Sequence, residues 1–89
     1  SARAAAAPPA PAEPRKRKLS YKEQRELAAM PAQIEALEQQ QLQLEKAVAG
    51  RGFYQSPPEE IQRVTGELAD VQLRLEAAFA RWNQLESGG

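Results

Sequence analysis

Two stripes of apolar residues, spaced by alternating steps of three and four, constrain this chain more than any other feature. Such steps place side chains along one narrow line of an α-helix, and over about three heptads they indicate a coiled-coil seam. The first stripe has one polar member and comprises Leu27, Met30, Ile34, Leu37, Gln41, Leu44 and Val48. The second comprises Ile61, Val64, Leu68, Val71, Leu75, Ala78, Trp82 and Leu85. Each stripe needs an apolar partner, and we expect that partner to be the other stripe.

The segment between the stripes favours a hairpin. It is short and rich in residues that end helices and form turns, namely Gly50, Gly52, Pro57 and Pro58. Two antiparallel helices in one chain are the simplest structure that joins the stripes. We expect Phe53 and Tyr54, at the tip, to cover the end of the seam. The functional alternative is base stacking by an exposed aromatic pair.

Local signals predict where the helices begin and end. Ser20 and Glu23 have the spacing of a capping box, as do Ser56 and Glu59, so helices should begin just after Ser20 and Ser56. Pro31 predicts a kink, or a short capped helix that ends before a new one begins. We therefore expect a disordered Ala/Pro-rich basic linker over residues 1–18, an all-α coiled-coil hairpin domain over 19–86, and a disordered tail over 87–89. The linker suggests that the chain continues from a longer protein.

The register of the hairpin follows from matching the two stripes. If the numbers of paired residues sum to 112, Leu27 meets Leu85 and Met30 meets Trp82. A slip of one heptad would instead set Trp82 against Glu23 and Leu85 against Ser20, which wastes two large apolar side chains. We therefore expect the first register.

Composition excludes several classes of function. The chain contains neither Cys nor His, so thiolate or imidazole catalysis, structural zinc and disulfides are ruled out. We expect no enzyme activity, no cofactor and no small-molecule substrate, because no phosphate-binding or catalytic motif is present. No apolar run could span a membrane, and the N-terminal region lacks the apolar core of a signal peptide. The expectation is a cytoplasmic protein.

The zero net charge conceals a strong asymmetry along the chain. Residues 1–25 carry seven basic and two acidic side chains, a net charge of +5, whereas residues 26–89 carry five basic and ten acidic ones, a net charge of −5. A polyanion should therefore bind at the N-terminal end. The residues that we expect to contact phosphates are Arg15, Lys16, Arg17, Lys18, Lys22 and Arg25, with additional contacts from Arg74 and Arg81. Because both stripes are satisfied within one chain, we expect a monomer.

Several short motifs carry a resemblance to a known family. They are the run from Lys18 to Leu27, Met30-Pro31, Phe53-Tyr54, Pro58-Glu59-Glu60, Ala80-Arg81-Trp82 and Leu85-Glu86. Together they resemble the C-terminal coiled-coil domain of the ABC-F ATPases, in particular the Uup branch. In that family the domain follows two ATP-binding cassettes, folds as a helical hairpin and binds DNA. The resemblance therefore implies a parent ATPase that uses ATP and Mg²⁺, is linked to the ribosome and to transposon excision, and has no membrane-spanning segment.

Two classes of function remain open. The first is a DNA-binding module that contacts phosphates without sequence specificity through the basic arm and the first helix, with structured RNA on the ribosome as the close alternative to duplex DNA. The second is a module that docks on a protein, on the ribosome or on the parent's own ATPase cassettes. Salt-dependent binding of nucleic acid would favour the first class, whereas self-association without nucleic acid would favour the second.

Overall fold

The computed structural model describes residues 18–88, and these form a helical hairpin. Helix α1 spans Tyr21–Ala49, a short 3-10 helix spans Phe53–Gln55, and helix α2 spans Pro58–Glu86. The structure is all-α over this range, as the two stripes predict. The expected linker up to residue 17 and the last residue of the expected tail, Gly89, lie outside the described residues.

Every residue of the two stripes is buried or half-buried between α1 and α2. The most deeply buried stripe residues are less than a tenth exposed: Met30, Ile34, Val64, Val71, Leu75 and Leu85. Leu85 and Val71 are each only 1% exposed. Because no polar side chain is buried among the described residues, burial of apolar surface along this seam is the main force that joins the helices.

Helix α1 begins with the capping box predicted from the sequence. The Ser20 hydroxyl oxygen accepts a hydrogen bond from the Glu23 backbone N–H at 3.1 Å, and the Glu23 carboxylate accepts one from the Ser20 backbone N–H at 3.0 Å. These bonds satisfy two backbone donors that the first turn would otherwise leave free. The start of the helix is therefore fixed by two side chains.

Pro31 does not divide the first helix, so the expectation of a separate short helix is wrong. Helix α1 is continuous through Pro31 from the capping box to Ala49. Proline removes one backbone hydrogen bond, the one to the carbonyl four residues earlier. Pro31 is exposed, whereas Met30 and Ile34 on either side of it are buried in the seam. Packing on the buried side therefore holds the helix together where the backbone bond is lost.

The tip of the hairpin is a tight turn that includes the 3-10 helix. Gly50 ends α1 as expected, and Gly52 adopts a left-handed conformation with φ of 84° that a side chain would strain. The turn buries Phe53 and leaves Tyr54 66% exposed, with the two rings edge-to-face at 4.9 Å. Phe53 therefore covers the end of the seam, whereas Tyr54 does not.

The second predicted capping box does not form. Pro57 is the N-cap of α2, no side chain caps the helix, and Pro58 is its first residue. A residue that precedes proline is pushed out of the helical region, and Pro57 accordingly has ψ of 147°. The helix therefore begins one residue later than expected, out of phase with Ser56.

An ion pair between the helices corrects the register. Arg81 bonds Glu26, and the numbers of these two residues sum to 107, as do those of the helix ends Ala49 and Pro58. If the numbers of facing stripe residues sum to 105, Glu26 and Arg81 are offset by about 3 Å along the hairpin axis. If those numbers sum to 112, as expected from the sequence, the offset is about 7.5 Å. Glu23 is half-buried, whereas the register with a sum of 112 would place it beyond the end of α2. The expected register is therefore wrong by one heptad.

Leu85, near the C-terminal end of α2, remains covered in this register. Leu85 is 1% exposed although its layer contains Ser20, and the half-buried Leu19 lies just before the cap. The predicted first stripe began at Leu27, so it did not include Leu19, an apolar residue that precedes α1. Ser87 and Gly88 then close α2, with backbone N–H groups that donate to Asn83 and Leu85 and a left-handed Gly88 at φ of 89°.

Candidate nucleic-acid interface

Three of the predicted cations lie together where α1 begins. Lys18 lies two residues before the Ser20 cap, and Lys22 and Arg25 are one turn apart on α1. All three are exposed, and none forms an ion pair among the described residues. Arg15, Lys16 and Arg17, also predicted as site residues, lie outside the described part of the chain. We call Lys18, Lys22 and Arg25 the basic end.

Arg25 also contacts an exposed aromatic ring. Its guanidinium carbon lies 5.8 Å from the centre of the Tyr21 ring, and the Tyr21 side chain is 74% exposed. The two residues are four positions apart on α1, a spacing that brings helical side chains together. This cation–π contact leaves the guanidinium donors of Arg25 open to an anion.

Arg81, by contrast, is already bound to an acid. Its Nε and Nη2 atoms donate to the two carboxylate oxygens of Glu26, each at 2.7 Å, and Nη1 donates to the Gln84 side chain at 3.1 Å. The hydrogen bonds from Arg81 lower the pKa of Glu26 below its ordinary value, and the same bonds raise the pKa of Arg81. The bidentate pair joins α1 to α2, so we assign Arg81 mainly to holding the hairpin.

The other arginines of α2 are also paired. Arg74 bonds Asp70, one turn earlier, at 2.9 Å. Arg63, which was not predicted as a site residue, bonds Glu60 at 2.9 Å and Glu67 at 3.2 Å, and its pKa is raised chiefly by the hydrogen bonds to Glu60. These spacings of three and four could have been read from the sequence. The Glu26–Arg81 pair could not, because it depends on the correct register.

The charges divide the hairpin into two flanks. Glu26 and Arg81 each directly precede a stripe residue, and they meet across the helices. Side chains that directly precede a stripe residue therefore lie on one flank of the hairpin, and side chains that directly follow one lie on the opposite flank. The first, which we call the paired flank, contains every ion pair described above. The second, the acidic flank, contains no cation among the described residues and five exposed acids: Glu35, Glu38, Glu45, Glu76 and Glu86.

The tip presents a weaker candidate surface. Lys46 and Arg51 are exposed and form no ion pair among the described residues, and Tyr54 is exposed beside them. The first turn of α2 lies at the same end and carries Glu59 and Glu60. The tip therefore lacks the net positive charge of the basic end.

Other kinds of site find no support in residues 18–88. Within this range no group of three or more acidic side chains is arranged to hold a metal ion. Neither α1 nor α2 is long and apolar enough to cross a membrane. The described part of the chain also forms no pocket. The exposed surface of the hairpin is therefore the part available for binding.

Comparison with known proteins establishes the family. The family described as ABC transporter C-terminal domain matches residues 18–87. The chain belongs to that family. As an ABC transporter C-terminal domain it is similar to the ATP-binding protein Uup of Escherichia coli, with 43% identity over 70 residues, or 79% of this chain. The ATP-binding protein Uup-like of Haemophilus influenzae is 41% identical over 73 residues, or 82% of this chain. The resemblance seen in the sequence motifs is confirmed.

A solved structure shares the fold of this ABC transporter C-terminal domain. It superposes with a TM-score of 0.74 at 42% identity, and the match covers 80% of this chain and 84% of the other. That structure is described as the C-terminal domain of the Uup protein, a DNA-binding coiled coil motif. The expected coiled-coil hairpin is thus confirmed.

The chain spans only a small part of its relatives, 11% of the E. coli protein and 16% of the Uup-like protein. The matching family is a C-terminal domain, so this chain is a coiled-coil domain and not an ATPase cassette.

Proposed function

We propose that this chain is the DNA-binding C-terminal module of an ABC-F type ATPase. The observation that carries the proposal is its likeness to a coiled coil described as DNA-binding, at 42% identity and over most of both chains. The parent would be cytoplasmic and would use ATP and Mg²⁺ in cassettes outside this chain, in keeping with relatives that are named ATP-binding proteins. The module itself would act as a monomer.

The basic end is the part of the hairpin best suited to phosphate contacts. Lys18, Lys22 and Arg25 have no acidic partner among the described residues, whereas the arginines of α2 do. The two acids nearest to them in sequence are already bonded, Glu23 to the Ser20 backbone and Glu26 to Arg81. Phosphate oxygens can therefore reach the three cations with little competition from carboxylates.

Charge directs a polyanion to one side of this end. Lys22 lies towards the paired flank and Arg25 on the outer side of α1, whereas the five acids of the acidic flank each follow a seam residue. We propose that DNA approaches the outer side of α1, and that Arg15, Lys16 and Arg17 extend the contact along the backbone. Arg74 and Arg81 would contribute less, because a phosphate would have to displace Asp70 or Glu26. Contacts of this kind read charge and not base sequence.

Salt-dependent titration tests this proposal. If about five phosphates are neutralised, the logarithm of affinity for duplex DNA should fall with the logarithm of salt concentration at a slope of about −4 to −5. Changing residues 15–18 together to Ala should flatten that slope by up to about three or four units and leave helicity unchanged. Affinity should be nearly the same for duplexes of different base composition.

A matched pair of double variants locates the contact within the described hairpin. Lys22→Ala with Arg25→Ala removes two cations from the basic end, and Lys46→Ala with Arg51→Ala removes two from the tip. The first pair should flatten the salt slope by about two units and the second by much less than one. If the tip pair, or Tyr54→Ala alone, abolished binding while the basic-end pair did not, the site would lie at the tip and base stacking would explain it better.

Structured RNA is the alternative ligand, because phosphates of either nucleic acid satisfy the same cations. Titrating an RNA duplex of the same sequence and length, while following backbone amide signals, distinguishes the two. We expect both to shift signals around Lys22, with DNA bound at least as tightly. Clear preference for RNA would favour a role on the ribosome. Sedimentation of the chain alone tests the monomer, and a stable dimer at micromolar concentration would instead favour a protein-docking module.

A further inference from the structure

A partly exposed aromatic pair interrupts the acidic flank of the hairpin near its open end. Phe79 is 42% exposed, and its ring stacks on that of Trp82, with centroids 6.4 Å apart and an angle of 22° between the planes. Trp82 belongs to the seam, but it is only half-buried. Phe79 directly follows the seam residue Ala78 and so lies at the edge of the seam, on the acidic flank. The exposed parts of the two rings form an apolar patch on this flank.

The flank that carries this patch is acidic. On α2, Glu76 precedes Phe79 by one turn and Glu86 follows it by two, and both are exposed and without an ion pair among the described residues. On α1 the same flank carries Glu35, Glu38 and Glu45, about 14 to 28 Å further towards the tip. The described part of the acidic flank thus has a charge of −5, with no cation to balance it. The carboxylates of this surface would repel the phosphates of a nucleic acid.

We propose that the acidic flank around Phe79 and Trp82 is a docking surface for a lysine- and arginine-rich protein segment that carries an apolar anchor. The argument is charge complementarity around an aromatic centre. Exposed aromatic rings surrounded by polar residues are typical of the centre of protein interfaces, and unpaired surface charges favour partners of the opposite sign. The paired flank offers neither feature, because its arginines and acids already neutralise one another.

This surface is separate from the one proposed for DNA. Lys22 lies towards the paired flank and Arg25 on the outer side of α1, whereas Phe79 lies on the acidic flank of α2. One hairpin could therefore hold nucleic acid and a basic protein segment at the same time. The two proposals do not depend on each other, and each has variants that leave the other surface unchanged.

The single tryptophan of the chain provides the measurement, because Trp82 lies in the patch itself. The probe is a synthetic peptide of about 15 residues composed of Lys, Arg and Leu, and the control peptide has Glu in place of every cation. We expect the cationic peptide to shift the fluorescence of Trp82 saturably and the acidic peptide to leave it unchanged. Affinity should fall as salt is added, since unpaired charges carry part of it.

Two variants and two matched controls locate the binding. Phe79→Ala should weaken binding about fivefold or more, whereas Leu73→Ala, a 64% exposed apolar residue on a different face of α2, should change it less than twofold. Glu76→Gln with Glu86→Gln should weaken binding about three- to tenfold. Glu60→Gln with Glu67→Gln removes the same charge from the paired flank and should change affinity less than twofold. All four acids are exposed, so their replacement leaves the fold intact and the test valid even if Phe79→Ala loosens the hairpin.

Several results would overturn the proposal. Equal weakening by both glutamate pairs would mean that the peptide is attracted to the acidic hairpin as a whole. Equal weakening by Leu73→Ala and Phe79→Ala would show that the Phe79/Trp82 patch is not the binding site. No binding of the cationic peptide would exclude the partner chemistry. A Trp82 signal that grows with protein concentration alone would make a second copy of the chain the occupant. Loss of DNA affinity in the Glu76/Glu86 variant would assign this flank to the nucleic-acid site instead.

Discussion

At the open end of the hairpin, side chains make the main contacts: Glu26 of α1 binds Arg81 of α2, Ser20 and Glu23 cap α1, and Leu85 is 1% exposed. At the tip, backbone conformation sets the geometry of the turn. Gly52 turns the chain in a left-handed conformation, and Pro57 and Pro58 fix where α2 begins. Phe53 is the one aromatic residue within 18–88 that is buried. The two ends are about 43 Å apart, the length of one helix.

This difference follows from what each end has to do. The tip is closed by the covalent chain, so its helices cannot separate there even when no side chain bridges them. The open end has no such connection, and it also carries the cations that we propose for DNA. It therefore needs side-chain contacts that hold α1 beside α2 while Lys22 and Arg25 stay exposed.

Leu85→Ala should have the largest effect on stability, because it removes a fully covered side chain from the end without a covalent connection. We expect the free energy of unfolding to fall by about 3 kcal/mol. Leu73→Ala, at an exposed position on the same helix, should change it by less than about 0.5 kcal/mol. Thermal unfolding followed by circular dichroism measures both. Equal melting temperatures for the two variants would show that the open end is not closed in solution.

Phe53→Ala tests the corresponding position at the tip. Phe53 is 9% exposed and packs against Tyr54, so we expect a loss of about 2 kcal/mol, below the usual cost for a fully buried phenylalanine. Tyr54→Ala, which removes an exposed ring, should cost less than 1 kcal/mol. A larger loss for Phe53→Ala than for Leu85→Ala would mean that the tip, and not the open end, limits the stability of the hairpin.

The sequence predicted the features that depend on local spacing and missed those that depend on how the helices pair. The two stripes, the Ser20 cap and the end of α1 at Gly50 each follow from residues within a few turns of one another. The register failed because it was chosen by matching apolar residues from Leu27 onwards, and Leu19 and the capping turn were left out. The same error concealed the Glu26–Arg81 pair and the division into two flanks.

Pro31 and Pro57 show a second limit. The rule that proline breaks a helix concerns the backbone alone, and at Pro31 the packing of Met30 and Ile34 outweighs it. At Pro57 the backbone rule was the one that mattered, because the following Pro58 keeps Pro57 out of helical geometry. Local sequence did not indicate which of the two effects would dominate at either site.

Ser20→Ala should have a smaller effect than either core variant. It removes the hydroxyl that accepts from Glu23, and loss of such a cap typically costs about 1 kcal/mol. Ser56→Ala is the matched control at the tip, where no side chain caps α2, and it should change stability by less than about 0.5 kcal/mol. Equal costs for the two serines, measured by urea unfolding, would contradict the contrast between a side-chain cap at one end and a backbone start at the other.

Acid should weaken the open end through Glu26, and this is the smallest of the effects. The hydrogen bonds from Arg81 lower the pKa of Glu26 in the folded chain below its ordinary value of 4.5, so the ionised form stabilises the hairpin. That contribution is complete above pH 4.5 and is lost as the pH falls through the lowered pKa, whereas Arg81 stays charged throughout. Glu26→Gln should therefore melt below the parent chain at pH 7, and the gap should close as the pH is taken well below 4.5. Glu35→Gln, at an exposed acid without an ion pair, should show no such gap at pH 7. If the Glu26→Gln gap stayed constant across the whole range, the ion pair would not contribute through its charge, and the contacts of Leu85 alone would hold the open end.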